Sequence, residues 1–188
     1  MRYLNYLLLA ALLGALQGCF PVVAVGLGSG ALMAADRRTA GTYVEDESIE
    51  DRVINKISIE YHDTVHVNVT SYNLHVLLTG EVPNEEAKAG VAKIVAGIAN
   101  VKVVSNELVV GPNTDIGSRS KDSLITANVK LRFINSKKFQ SDHVKVVTEN
   151  GTVYLLGLLY RKEADTAADI ASTTSGVQRV VKVFEYLD

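Results

Sequence analysis

The sequence predicts an α+β protein made of two tandem αββαβ units, each a small three-stranded sheet packed against two helices. Three observations carry this reading. Apolar residues recur first at helical and then at strand spacing, the same order of signals runs twice, and the two runs match at a nearly constant offset. The composition agrees: 47% apolar, 21% charged and only three prolines in 188 residues describe a globular chain with room for one or two domains.

The first helix of each unit comes from Ile49, Val53 and Ile57, and from Ile125, Val129 and Phe133, at an offset of 76. Their i, i+4, i+8 spacing puts each trio on one helix face, the face expected in the core. The hairpins follow at an offset of 77, where Val67, Val69, Val76, Leu78 and Gly80 match Val144, Val146, Val153, Leu155 and Gly157. Period-two alternation marks these as half-buried strands. Asn150-Gly151 signals a tight turn because both residues tolerate positive φ, whereas Ser71-Tyr72-Asn73 is expected to turn the first hairpin less sharply. The second helices begin near Glu85-Glu86 and Lys162-Glu163, where acidic side chains favour a helix amino end. They carry Ala87, Val91, Ile94 and Val95, or Ala164, Ala167, Ala168 and Ile170. Val103 to Val110 and Val180 to Leu187 supply the last strands. The units therefore span 47–111 and 121–188, each with its own core and each expected to fold separately, joined by a polar linker over 112–120.

At the amino terminus, Arg2, an apolar run from Leu7 to Leu16 and the small residues before Cys19 have the layout of an export signal over 1–18. Cys19 is the sole cysteine, so an internal disulfide is excluded and acylation accounts for a lone thiol in an exported chain. Leu16-Gln17-Gly18-Cys19 resembles the lipobox of bacterial lipoproteins, in which the cysteine is lipidated and becomes the first residue of the mature chain. Each buried methylene contributes about 0.8 kcal/mol, so several acyl chains on Cys19 would hold the protein on a membrane. The alternative is an uncleaved apolar anchor running to Ala35, which Gly26, Gly28 and Gly30 disfavour. Residues 19–46 then read as an acylated tether, with Asp36 to Asp46 a spacer. In lipoproteins an Asp after the cysteine commonly signals inner-membrane retention; Phe20 in that place implies the outer membrane.

The doubled pattern, with Leu78-Thr79-Gly80 and Leu155-Leu156-Gly157 closing each hairpin, resembles the BON domain, and most of all the dual-BON outer-membrane lipoproteins. The stretches that carry the likeness are Asp36-Arg37-Arg38-Thr39, Asp122-Ser123-Leu124-Ile125-Thr126 and Val144-Lys145-Val146-Val147-Thr148-Glu149-Asn150-Gly151. The resemblance implies a non-catalytic periplasmic protein that binds anionic phospholipid through its second domain and supports outer-membrane integrity, with an association to the division site in relatives. Leu124 stands where relatives often have an aromatic, which implies a differently shaped contact.

Charge bears on the same question without the family, although a charge run by itself reads as a solvated face. From Val44 to Gly111 there are five Lys or Arg against eleven Asp or Glu; from Pro112 to Asp188 there are eleven against nine. Between Arg119 and Lys145 seven cations face only Asp122 and Asp142, a cluster worth about 1 kcal/mol per Lys or Arg beside an anionic leaflet. At about 100° per residue, Lys121, Leu124, Leu131 and Lys138 form a stripe opposite the core trio. The first unit has Ser48 and Asn55 at the positions equivalent to Leu124 and Leu131. The candidate lipid-binding residues are Lys121, Leu124, Lys130, Leu131, Ile134 and Lys138. From the residues alone, Leu124 and Leu131 could equally dock on the first unit, and the resemblance favours lipid. The competing function is a periplasmic adaptor for envelope-assembly, division or peptidoglycan-remodelling proteins, held through the acidic first unit and its sheet edge.

Catalytic chemistry is not expected. His62, His66, His75 and His143 lack an HExxH or Cys partner, so no metal site is expected and His62 and His66 read as surface residues. Gly26 to Ala31 has no βαβ unit after it, so it is no dinucleotide loop, and no nucleophile stands beside a base. No cofactor or small-molecule substrate is called for, and the acidic first unit argues against nucleic acid.

Overall fold

The computed structural model describes residues 36–188. In the first unit the elements are α1 (Ala40–Tyr61), β1 (His66–Tyr72), β2 (His75–Val82), α2 (Glu85–Ala96), β3 (Val103–Asn106) and β4 (Val109–Val110). The second repeats the order with α3 (Ile116–Ser136), β5 (Val144–Glu149), β6 (Thr152–Leu159), α4 (Arg161–Ser172) and β7 (Arg179–Tyr186). In each, a hairpin pairs antiparallel and the strand after the second helix joins the hairpin's second strand in parallel. The helical crossover between β2 and β3, and between β6 and β7, covers one face of each sheet.

Both helical trios are buried as expected. Ile49, Val53 and Ile57 pack with Val76, Leu78 and Val91 in one core, and Ile125, Val129 and Phe133 pack with Val153, Leu155 and Ala167 in the other. The last strand of the first unit differs from the expected continuous run over 103–110. It breaks between β3 and β4 as the Glu107 amide bonds the Leu78 carbonyl and Leu108 turns into the core. The second unit keeps eight paired residues from Arg179 to Tyr186.

The first hairpin turn is as tight as the second, which corrects the expectation of a looser bend over Ser71 to Asn73. Asn73 and Leu74 both take positive φ, 53° and 67°, as Asn150 and Gly151 do at 46° and 70°. A left-handed Leu is costly. It is held because the buried Asp46 carboxylate accepts from the amides of both Asn73 and Leu74, each at 2.8 Å, and from the Ser71 hydroxyl at 2.7 Å. Asp122, at the same offset of 76, accepts from the amides of Asn150 and Gly151, also at 2.8 Å. One carboxylate per repeat, a turn before the core trio, thus ties the first helix to the hairpin tip.

Residues 36–46 are not a spacer; this expectation is corrected. Thr39 caps α1 by accepting from the Thr42 amide, and the helix begins at Ala40. Before it, Arg38 bonds Asp46 at 2.8 Å and Asp36 at 2.7 Å, with its guanidinium 4.1 Å from the Tyr72 ring centroid. Arg37 reaches the second unit, where it makes a bidentate pair with Glu163 at 2.6 and 2.8 Å and donates to the Leu158 carbonyl. The Arg37 bonds hold the Glu163 carboxyl below its ordinary range despite burial. The linker is likewise shorter than 112–120, since Asp115 caps α3 and the helix starts at Ile116.

The helix-free faces of the two sheets meet. Tyr72 and Leu77 from the first join Tyr154, Leu156, Leu158 and Val183 from the second in a third apolar cluster. Around it Lys145 pairs with Glu50 and Asn73 bonds Glu185. The units have separate helical cores, as expected, and share this layer besides. Leu156→Ala should therefore cost about 2–5 kcal/mol in urea unfolding, as for a core leucine, whereas Leu131→Ala should change stability by no more than about 0.5 kcal/mol. A Leu156 variant as mild as the Leu131 variant would mean that the sheets do not pack in solution.

Candidate membrane-contact face

Helix α3 is anchored at its amino end and along one face, and the anchoring decides what it shows to solvent. Asp115 accepts from the Ser118 amide at 2.9 Å, the core trio points to the sheet, and Asp122 holds the β5–β6 turn. Opposite the trio, Leu124, Leu131 and Ile134 are 65%, 55% and 58% exposed. At roughly 100° per residue they share an arc of about 80°, with Lys121 at one margin and Lys130 at the other. Neither leucine docks on the first unit, which corrects that alternative.

The cations divide into two groups. Arg132 is spent on the fold, donating to the Ile170 carbonyl and the Thr174 and Thr173 hydroxyls, and Lys145 is spent on Glu50. Arg119, Lys121, Lys130, Lys137 and Lys138 remain exposed. Lys138 does not lie on the helical stripe where the sequence reading put it. The helix ends at Ser136, Lys137 takes a left-handed φ of 53°, and Phe139 turns back onto Phe133 with ring centroids 5.1 Å apart. Lys137 and Lys138 instead crown the carboxyl end of α3, where a cation complements the helix dipole.

The first unit tests how specific this face is. Its helix α1 has Ser48, Asn55 and Ser58 at the equivalent positions, all exposed and polar, yet it exposes Ile54 and Ile59 elsewhere. Those isoleucines stand among exposed Glu47, Asp51 and Glu60. Exposed apolar side chains are thus common to both helices; on α1 the exposed cation beside them, Lys56, is outnumbered by acids, whereas the apolar arc of α3 has Lys121 at one margin and Lys130 at the other. Beside Leu124 a cleft of about 380 Å³ is lined by Lys121, Asn128, Asn150, Ser175 and Gln178. Cys19 lies outside the described residues, and among these no helix is long and apolar enough to cross a membrane.

A second cluster sits where the units meet, and the sequence reading missed it. His66, taken there for a surface residue, has Nδ1 2.8 Å from Glu81 Oε2, and Glu149 of the second unit approaches so that one ligand atom of each lies within 4.8 Å of the others. Burial pushes the Glu149 carboxyl up, opposed by the Asn68 amide and reinforced by Glu81. Its only sequence signal is that His66 and His143 match at the offset of 77, whereas Glu81 matches Leu158.

Comparison with known proteins adds the lineage. The family model described as the BON domain matches residues 45–112 and 121–188. The chain is 43% identical over 185 residues to an outer membrane lipoprotein DolP of Haemophilus influenzae, covering 96% of each. It is 37% identical over 154 residues to a 21 kDa hemolysin of Actinobacillus pleuropneumoniae, covering 81% of this chain and 79% of the relative. Against the osmotically-inducible protein Y of Escherichia coli the identity is 27% over 146 residues, covering 74% and 72%.

The carboxylate of Asp122 is what sets α3 against its hairpin. Asp122→Ala leaves two turn amides without their acceptor and should destabilise the protein by about 3 kcal/mol in chemical unfolding. Amide exchange at Asn150 and Gly151 should speed up alongside. Unaltered exchange at those amides would show that Asp122 does not hold the turn.

Proposed function

The chain belongs to the BON-domain family, and from that premise we propose that it is a non-catalytic outer-membrane lipoprotein, anchored through acylated Cys19 and facing the periplasm, whose second BON domain binds anionic phospholipid through α3. Its contribution is to envelope integrity, including at the division site. The observation that carries the reading is the exposed arc of Leu124, Leu131 and Ile134 bordered by Lys121 and Lys130. Apolar side chains enter the acyl boundary while cations meet lipid phosphates, a division of labour that suits a helix lying in the interface plane. Lys137 and Lys138 extend the cationic border past the helix end, and the cleft beside Leu124, where Leu124 and Ile125 meet Lys121, Asn128 and Gln178, offers donors to a headgroup. The high identity to a lipoprotein named for the outer membrane supports the location.

Mechanistically, the lipid anchor makes the search for the leaflet intramolecular, so even a weak helix contact is occupied much of the time. Because Arg37 bonds the second domain and Arg38 the first, the chain joins the folded body at residues 36–38 rather than at residue 46.

Two experiments test this. Leu124→Asp with Leu131→Asp, in a chain starting at Phe20 and so lacking the acyl site, should abolish co-sedimentation with phosphatidylglycerol vesicles while its melting temperature stays within a few degrees of the parent. Lys121→Ala with Lys130→Ala should weaken binding more gently, and added salt should weaken the parent in the same sense because screening shortens the reach of exposed charge. Undiminished vesicle binding by the Asp pair would remove α3 as the contact. For the anchor, Cys19→Ala should eliminate incorporation of a clickable fatty acid and release the protein from the outer-membrane fraction, and equal labelling of both chains would refute the assignment.

A further inference from the structure

We propose that His66, Glu81 and Glu149 form a binding site for a first-row divalent cation, with Zn²⁺ the best match, that clips the first domain's hairpin to the second domain. His66 opens β1 and is the register partner of Glu81 in β2, so both side chains leave the same face of the sheet. Gly80 permits this closeness: it takes a φ of 113°, and a Cβ there would overlap the His66 carbonyl oxygen. Glu149 arrives from the end of β5 in the other domain, completing one imidazole and two carboxylates within 4.8 Å of one another.

The donor set selects the ion class. Mg²⁺ and Ca²⁺ favour all-oxygen shells, whereas one imidazole with two carboxylates suits Zn²⁺ in tetrahedral geometry with a water as the fourth ligand. Glu81 and Glu149 are 6% and 9% exposed. Two carboxylates sharing so dry a space repel each other, and a cation between them removes that repulsion. The surroundings hold both in place, as second-shell donors do around bound metals. Thr114 donates its amide and hydroxyl to Glu81 Oε2, each at 3.2 Å, and Asn68 donates to Glu149 Oε2 at 2.7 Å. A cleft of about 440 Å³, lined by His66, Asn68, Asp122, Thr148 and Glu149 together with Arg119, gives an ion and its water a way in.

The fold does not require this set. At the equivalent positions of the other repeat stand His143 and Leu158 in place of His66 and Glu81, and Tyr72 in place of Glu149. The repeats share the histidine and the close-approach glycine, and both acids are particular to this one junction.

The test uses the full chain in detergent, stripped with a chelator and titrated with zinc chloride by calorimetry and by thermal melting. The expected result is one site per chain, a melting temperature that climbs with Zn²⁺, as it does for any ligand that binds only the folded state, and no response to the same concentration of Mg²⁺. His66→Ala and Glu149→Gln should each weaken Zn²⁺ binding by about tenfold or more, while His62→Ala and His75→Ala should not. Glu149→Gln is nearly isosteric and removes the carboxylate repulsion, so the metal-free variant should melt no lower than the parent. Absence of saturable Zn²⁺ binding at micromolar concentration would overturn the proposal, as would binding that survives Glu149→Gln or falls with His62→Ala.

Discussion

The contact on which the rest of the molecule depends is between two sheet faces. Tyr72 and Leu77 on one side and Tyr154, Leu156, Leu158 and Val183 on the other form a layer that neither domain could make alone. A unit of about 65 residues lies near the lower size at which one core suffices. Covering one sheet face with helices and the other with a second sheet buries β2 and β6 on both sides. The same contact brings Glu149 to His66 and sets the Leu158 carbonyl where Arg37 can reach it.

Within that frame each repeat uses one carboxylate to join its first helix to its hairpin tip. Asp46 and Asp122 each neutralise two turn amides, which lets the tip keep two consecutive residues at positive φ even where one is Leu74. In the first domain the same carboxylate also receives Arg38, which stacks on Tyr72 of the shared layer. The segment before α1 thereby becomes part of the domain junction.

What the fold leaves outside follows from what it uses inside. With the sheet faces closed on each other, the long helices carry much of the exposed surface, and of the two, α3 has the apolar arc bordered by cations where α1 sets its exposed isoleucines mainly among acids. The acidic first domain stands apart from this in charge, so the molecule is electrostatically two-sided.

The sequence by itself determined the repeat, the order of elements, both helical core trios and the Asn150-Gly151 turn, because these rest on local periodicity and on which residues tolerate positive φ. It also carried an unread sign of the shared layer. Val76-Leu77-Leu78 and Val153 to Leu156 run apolar without alternating, as strands buried on both faces do. The exposure of Leu124 and Leu131 was legible as a stripe, though its destination was not. Only the tertiary structure decided that Arg37 and Arg38 dock rather than dangle, that Lys138 leaves the helix, that Arg132 and Lys145 are spent on the fold, and that His66 meets Glu81 and Glu149. Each of these depends on partners far apart in the chain. Arg37 and Glu163 are 126 residues apart, and no local pattern encodes a hydrogen bond between two side chains whose proximity is created by packing elsewhere.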